Sequence, residues 1–398
     1  MASPAGRTRS VRARDARWRG ALAVLDELRR HPGVTRADVA RRLTLSTGSA
    51  TEITARLREL ALLSETPAAA TGRGRPTTVL NPHPDGPVVI AVDLRQEDWR
   101  CAVAEIDGRP RVSEEGRHAS RHPARVVAAV GEAVRRVHDR LGGRVRAVAV
   151  AVAATVRHGG VVQSATLGWG AVDLGGLAPA PGLPLLVGND ATLAGAAEAR
   201  YGAAVGTGTA LHVTIEVGVG GTLVVDGLPI EGATGAGGEF GHLPLGDPEL
   251  RCPCGALGCW DLAVDGRAIA RHLGEPPPRD PRSYAQAALA RAEEDPAVRS
   301  AVGRTASGFG RGIAGLINAL DPGIVTLGGF AEPLRAAAPE EFAEALTDGL
   351  MRFRRADPPP VVAATLGDDG ALHGAAALAL DRVLTEEGLD AWAADHTG

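Results

Sequence analysis

Three of the four cysteines in the chain fall within eight residues, Cys252, Cys254 and Cys259, and His242 precedes them, giving H-x9-C-x-C-x4-C. Three thiolates and an imidazole at loop spacing are a complete donor set for tetrahedral zinc. Pro253, Gly255 and Gly258 permit the tight turns that aim the sulfurs inward. With four protein ligands there is no open coordination position, so the spacing implies structural Zn2+ and not a catalytic ion. Disulfides and buried free thiols are the competing readings. An odd number of clustered thiols and the lack of a secretory signal fit disulfides poorly. Cys101 stands alone in an apolar run and reads as a small core residue.

The rest of the chain must build a body around that loop. Of 398 residues, 44% are hydrophobic, which excludes wholesale disorder, and only 3% are aromatic, so the cores rest on Ala, Val and Leu. No apolar run reaches ~18 residues, so no transmembrane helix is expected. The Arg-rich start, MASPAGRTRSVRARDARWRG, has no apolar core of a signal peptide; a transit peptide is the competing reading, but the run leads directly into a helical module, and a cytoplasmic protein is expected. Charge is unevenly spread. Residues 1–80 hold 15 Arg against 7 acids, whereas the remainder holds 28 Arg against 40 acids. A basic head on an acidic body suggests nucleic-acid binding, with a solvated basic face as the bland alternative.

The first 65 residues read as three helices. Trp18, Leu22, Leu25 and Leu28 recur at helical spacing until His31-Pro32-Gly33. Thr35 is a good N-cap with Asp38 in capping-box position, and Val34 and Val39 form a hydrophobic staple. After the turn at Thr44-Leu45, Ser46 caps a third helix whose apolar face is Ala50, Ile53, Leu57 and Leu60. Its outward face carries Thr47, Ser49, Glu52 and Arg56. Two short helices in this arrangement predict a helix-turn-helix; a protein-binding helical bundle is the alternative. The segment that follows can form a wing. Arg73-Gly74-Arg75-Pro76 within it suits a narrow minor groove, or is an interdomain linker.

From about residue 87 strands and helices alternate. Strands are expected at Val88–Asp93, Cys101–Gly108, Val145–Val152, Leu185–Val187, Thr209–Val217 and Gly221–Val225, with a helix at Ala124–Leu141. The mixture predicts an α/β protein with two lobes, and glycine-rich turns at comparable places hint at a duplicated unit.

Several segments together resemble the ROK family of repressors, sugar kinases and open reading frames. They are GATGAGGEFGH (232–242), CPCGALGCWD (252–261), LGWGAVDL (167–174), GNDATLAGAAEARYG (188–202), LDPGIVTLGG (320–329) and LGDDGALHGAAALAL (366–380). The helix-turn-helix followed by GRGRP resembles the repressor branch. The resemblance implies a winged helix-turn-helix followed by a two-lobed, actin-like, sugar-kinase-like domain. Residues 1–82 would be the DNA-binding head with its linker, 83–195 the first lobe, and 196–370 the second lobe with the zinc site. Residues 371–398 would be a C-terminal helix packing back on the first lobe.

The resemblance also implies a sugar in the cleft, held by Asn189, Asp190, Glu239, His242 and Asp261. Asp190 occupies the place of the kinases' catalytic base. His242 would face zinc with one nitrogen and the sugar with the other. Asp261 stands where the family usually has Glu, one methylene longer. Asn189-Asp190 also reads as a plain helix cap. The kinases of the family carry D-x-G-G-T after the first strand to receive ATP phosphates. Here the segment is Asp93-Leu94-Arg95-Gln96-Glu97, without either glycine. The second phosphate loop is altered as well, with Ile215-Glu216-Val217 before Gly218-Val219-Gly220-Gly221. Leu327-Gly328-Gly329 matches the nucleotide-side motif but equally makes a tight turn. The expectation is a sugar-responsive repressor without enzymatic activity, bound to an inverted-repeat DNA operator as a homodimer or dimer of dimers. Its effector is expected to be a sugar or sugar phosphate. A sugar kinase carrying a DNA-binding head is the alternative.

Overall fold

The computed structural model describes residues 18–68 and 78–397. The head contains α1 (residues 18–30), α2 (Arg36–Arg42) and α3 (Thr47–Glu59), followed by a hairpin of β1 (Leu63–Pro67) and β2 (Thr78–Pro82). The local signals at its helix starts act as expected. Thr35 Oγ1 accepts from Asp38 N at 3.1 Å, and Asp38 answers by accepting from Thr35 N at 3.3 Å. The staple valines, Val34 and Val39, are buried. Thr44 takes a left-handed φ of 52° to turn between α2 and α3, and Ser46 Oγ accepts from Ser49 N at 3.0 Å. Arg73 and Arg75 lie outside the described residues.

The first lobe is built on β3 (Val88–Leu94), β4 (Asp98–Ala104), β5 (Pro110–Arg117), α4 (Pro123–Leu141), β6 (Val145–Val152) and β9 (Leu185–Asn189). A small hairpin, β7 (Thr155–Arg157) with β8 (Gly160–Gln163), lies between β6 and β9, and α5 (Asp190–Tyr201) follows. The sheet runs β5-β4-β3-β6-β9. Strand β3 is buried on both faces and divides its side chains by parity. Val88, Ile90, Val92 and Leu94 meet α4, while Val89 and Ala91 face an alanine-rich layer. The second expected strand is corrected: it spans Asp98–Ala104, and Glu105–Gly108 is a turn in which Gly108 adopts a φ of 73°.

The second lobe carries β10 (Thr209–Ile215), β11 (Val219–Val225), β12 (Leu228–Pro229), β13 (Ile324–Gly329) and β14 (Val361–Ala363) in the order β12-β11-β10-β13-β14. Helices α6 (Asp261–Val264), α7 (Gly266–His272), α8 (Pro281–Arg291), α9 (Pro296–Leu320), α10 (Ala331–Ala337) and α11 (Pro339–Gly349) cover it. In both lobes the first strand pairs antiparallel with the second and parallel with the fourth. The two sheets are therefore the same unit twice. Their first hairpin turns, at 95–97 and 216–218, fall at equivalent ends of the two sheets and both line the cleft.

The C-terminal stretch is two helices with different roles. Helix α12 (Gly370–Val383) lies on the first-lobe sheet, where Leu372, Ala375, Ala376 and Ala379 meet Ala91, Ala102 and Ala149. Small side chains on both sides allow that close approach. Helix α13 (Glu386–Thr397) leaves the lobe and completes the core of the head. Leu389, Trp392 and Ala393 pack with Trp18, Leu25, Leu57 and Leu62. Trp392 Nε1 donates to Leu60 O at 2.7 Å, and Trp18 Nε1 donates to Asp390 at 2.8 Å. Asp381 on α12 ties Arg29 of the head to Arg200 of α5, at 2.8 and 2.7 Å.

Candidate functional site

Strand β9 ends where α5 begins, and this junction sets the floor of the cleft. Asn189 caps α5: its Oδ1 accepts from Thr192 N at 2.9 Å and from Thr192 Oγ1 at 3.1 Å. Its Nδ2 donates to Ala154 O and to Asp190 Oδ1, both at 3.1 Å. A side-chain amide offers two acceptor and two donor positions, so that of Asn189 is fully engaged within the protein. Asp190 is thereby fixed at the first position of the helix. Burial pushes its carboxyl up to about 6; the charge of Asp93 adds to this, and the Ala191 N–H at 2.9 Å opposes it.

The remaining expected residues converge on the same place. Asn189, Asp190, Glu239, His242 and Asp261 all line one cavity of about 100 Å³, together with Thr155 and the 216–220 turn. Glu239 Oε1 accepts from Thr155 Oγ1 at 2.6 Å, and its Oε2 lies 3.8 Å from His242 Nε2. The other imidazole nitrogen, Nδ1, faces Cys252 Sγ at 3.9 Å. Asp261 is drawn back toward the sheet, where its Oδ1 accepts from Val219 N at 2.6 Å. Gly218 and Gly241 make room for that short side chain. A Cβ on Gly241 would stand 2.1 Å from Asp261 Oδ1.

Behind His242 the cysteine loop closes. Gly255 and Gly258 adopt φ values of 102° and 70°, which L side chains rarely reach. The donor atoms of His242, Cys252, Cys254 and Cys259 all lie within 4.8 Å of one another, and the Sγ atoms of Cys254 and Cys259 are 3.6 Å apart. Ligands ~2.3 Å from a tetrahedral zinc stand roughly 3.8 Å from each other, so the donor set and its spacing fit that ion. The cysteines are free thiols. Trp260, directly after Cys259, fastens the loop to the second lobe. It stacks on Phe309 at 5.9 Å and donates to Gly308 O at 3.1 Å. Gly312 is required beneath it, since a Cβ there would lie 2.0 Å from the indole.

The two altered hairpin turns face a second cavity of about 340 Å³ that shares Asp190, Thr214 and Glu216 with the first. Side chains cross this space. Arg95 donates to Asp93 and to Asp368 O, both at 2.7 Å. Arg100 pairs with Asp93 at 3.0 Å and Asp369 at 2.6 Å. From the other lobe, Arg282 reaches Glu216 at 3.1 Å and Asp368 at 3.0 Å. Burial pushes the Glu216 carboxyl up to about 7, against the pull of Arg282 and Arg95. The sequence offered no signal for Arg100 or Arg282, and Asp368 entered only within the motif LGDDGALHGAAALAL, with no role attached. Arg282 is the second residue of a helix capped by Asp280 and begun by Pro281.

On the head, Thr47, Ser49 and Glu52 are exposed on one side of α3. The Ser49 hydroxyl pairs with that of the cap Ser46 at 2.9 Å. Arg56 is half-buried, its guanidinium 4.3 Å above the Trp18 ring. No described helix is long and apolar enough to cross a membrane.

Comparison with known proteins agrees with this geometry. A crystal structure described as a ROK family transcriptional regulator, homolog of the E. coli MLC protein, superposes with a TM-score of 0.71 at 22% identity. It covers 94% of this chain and 98% of that one. A glucokinase of Streptomyces coelicolor is 28% identical over 303 residues, covering 67% of this chain and 92% of the kinase. A xylose repressor of Bacillus subtilis is 29% identical over 91 residues, 23% of this chain and 24% of the repressor. The sequence profile of the ROK family matches residues 89–382, and the chain belongs to the ROK family.

Proposed function

We propose that this chain is a sugar-responsive DNA-binding transcriptional regulator, a repressor of carbohydrate-metabolism genes, with no phosphoryl-transfer activity. The observation that carries the reading is the set of paired side chains that lines the phosphate side of the cleft. Where a kinase presents bare glycine backbone, Arg95 and Arg100 grip Asp93 and the 368–369 turn, and Glu216 points its carboxylate inward. A triphosphate would have to displace those guanidinium groups and lie against buried carboxylates. The winged head, docked on the kinase-like body, supports the same reading.

Within the sugar cavity, Asp190, Glu239 and Asp261 receive hydroxyls, since carboxylates accept two vicinal O–H groups at once. Asn189 positions Asp190. His242, Cys252, Cys254 and Cys259 would hold a structural zinc ion, which supplies a fixed orientation for His242: Nδ1 turned to the metal and Nε2 to Glu239 and the sugar. The DNA face is α3, with Thr47, Ser49 and Glu52 toward base edges in the major groove and Arg73 and Arg75 in the flanking minor groove. The packing of Arg56 on Trp18 makes it a support for α3 as well as a phosphate contact. A dimer or dimer of dimers on an inverted repeat suits such heads. Sugar in the cleft favours one lobe arrangement. Helix α12 begins at the cleft, and through α13 it carries that arrangement to the head.

The glucokinase likeness favours a second reading, a sugar kinase with a DNA-binding head. One experiment separates the two. Full-length protein is screened by thermal shift against neutral sugars and their phosphates, and every ligand that raises the melting temperature is then offered with ATP and Mg2+. The regulator reading expects a shift abolished by Glu239→Ala and no phosphorylated product. Product formation that Asp190→Asn abolishes establishes the kinase reading instead.

A further inference from the structure

The cavity of about 340 Å³ on the far side of Asp190 is the phosphate side of the cleft, closed to a triphosphate in the reading above but given no ligand there. It is lined by Arg95, Gln96, His212, Glu216, Arg282 and Asp368, among others. It is continuous with the sugar cavity through Asp190, Ala191, Thr214 and Glu216, which line both. Its size falls within the ~300–1,000 Å³ of small-molecule sites. We propose that this cavity is a second saccharide subsite, and that the cleft takes a neutral di- or oligosaccharide with one ring on each side of Asp190. The proposal rests on reading the smaller cavity as a sugar site.

Three observations select the ligand class. The first is charge. Arg95, Arg117 and Arg282 line the cavity together with Asp93, Asp190, Glu216, Asp280 and Asp368. Positive charge does not exceed negative, and Arg95 and Arg282 are already paired to carboxylates or carbonyls. A phosphate dianion entering here meets more carboxylates than guanidinium groups, and of the three lining arginines only Arg117 is without an ion pair among the described residues. This argues against a nucleotide and against a sugar phosphate alike.

The second is unmet hydrogen bonding. The buried His212 lines the cavity, and its Nε2 has no partner among the described residues; Thr326 Oγ1 holds the other nitrogen at 2.9 Å. Gln96 Oε1 is likewise buried without a partner while its Nε2 donates to Thr166 O at 3.1 Å. Burial holds His212 down to about 4, so it is a neutral imidazole near neutral pH. Neutral groups with spare capacity match hydroxyls, which both donate and accept.

The third is preorganisation. The pairs Arg95–Asp93 and Arg282–Glu216 are locked across 2.7 and 3.1 Å. Each leaves N–H groups and oxygen lone pairs at fixed positions for vicinal hydroxyls, so a second ring binds without ordering long side chains. The loss of the phosphate loops thus leaves space and polar walls suited to a sugar ring.

The test is calorimetric titration of the full-length protein. Probes are glucose, xylose and N-acetylglucosamine, then maltose, cellobiose, isomaltose and melibiose, then glucose 6-phosphate and ATP. At least one disaccharide is expected to bind on the order of tenfold tighter than any monosaccharide. Two variants outside the sugar cavity report on the subsite. Ala371→Leu fills it from the start of α12, and Gln96→Ala removes one polar wall. Both are expected to erase most of the disaccharide advantage while leaving monosaccharide affinity and the ligand-free melting temperature unchanged. Equal affinity for monosaccharides and every disaccharide overturns the second subsite and leaves the sugar site standing. Tighter binding of glucose 6-phosphate or ATP overturns the neutral-ligand assignment. If no sugar of either size binds, the reading of the smaller cavity fails and the subsite with it.

Discussion

Replacing Trp392 with Ala should free the head from the body without unfolding either lobe. Trp392 is 2% exposed, sits among the residues of the head core, and spends its indole N–H on Leu60 O at 2.7 Å. Arg146 lies 5.1 Å over its ring. Truncating a buried Trp to Ala costs ~3–5 kcal/mol, and the orphaned carbonyl adds to this. At ~1.4 kcal/mol per decade, that weakens the docked state by roughly two to four orders of magnitude. The cores of the lobes contain no residue of α13, so their stability should hold. Limited proteolysis reads this directly: cleavage between head and body should accelerate by about that factor, while the main calorimetric transition and the zinc content stay put. Trp392→Phe, which keeps a benzene ring but loses the pyrrole portion and its N–H, should show a smaller share of the effect, roughly 1–3 kcal/mol. A Trp392→Ala protein with unchanged proteolysis and unchanged DNA affinity would refute the role assigned to α13.

Further outcomes follow from individual contacts. Cys254→Ser should lose zinc, measured by elemental analysis of protein purified without added metal, and melt at a lower temperature; full retention of both removes the metal assignment. Gly312→Ala should destabilise the second lobe by ~1–3 kcal/mol or more, because the indole of Trp260 occupies the space a methyl needs; a melting temperature within error of the parent contradicts the packing. Glu216 holds its proton more tightly when folded, up to about 7 from an ordinary 4.5. Between those values the native chain binds more protons than the unfolded one, so this group's contribution makes stability fall as pH rises. Melting temperatures of Glu216→Gln and the parent should therefore diverge in favour of Gln from pH 4.5 to 7, and parallel profiles would count against the burial of that carboxyl.

The two ends of the chain differ in how far their sequence discloses their structure. Local rules located α2, α3 and the cysteine loop, because a capping box at Thr35, a cap at Ser46 and a four-donor spacing are each complete within about twenty residues. Strand β6 was legible to its last residue, since a parallel strand buried on both faces is a continuous apolar run. Strand β5 was not: PRVSEEGR is a polar edge strand, and nothing in its pattern separates it from a loop. The residues of the smaller cavity were visible through motifs. Their division of labour was not, because only the three-dimensional count of donors and acceptors shows that Asn189 is fully engaged. Arg100, Arg282 and Asp368 meet across sequence separations of 86 and 268 residues, a distance over which no local pattern operates. The same holds for Trp392, because nothing within EEGLDAWAADHT tells which face of the protein its few apolar residues cover.

The central claim is that one chain reads DNA with its head and a sugar with its cleft, and that the second controls the first. The most direct measurement is the affinity of the full-length protein for an operator selected from random DNA, titrated with the sugar identified by thermal shift. The account predicts that this sugar changes operator affinity by at least about tenfold. Glu239→Ala should bind the same operator with parental affinity and ignore the sugar. An operator affinity that does not move when the cleft is saturated would contradict the account.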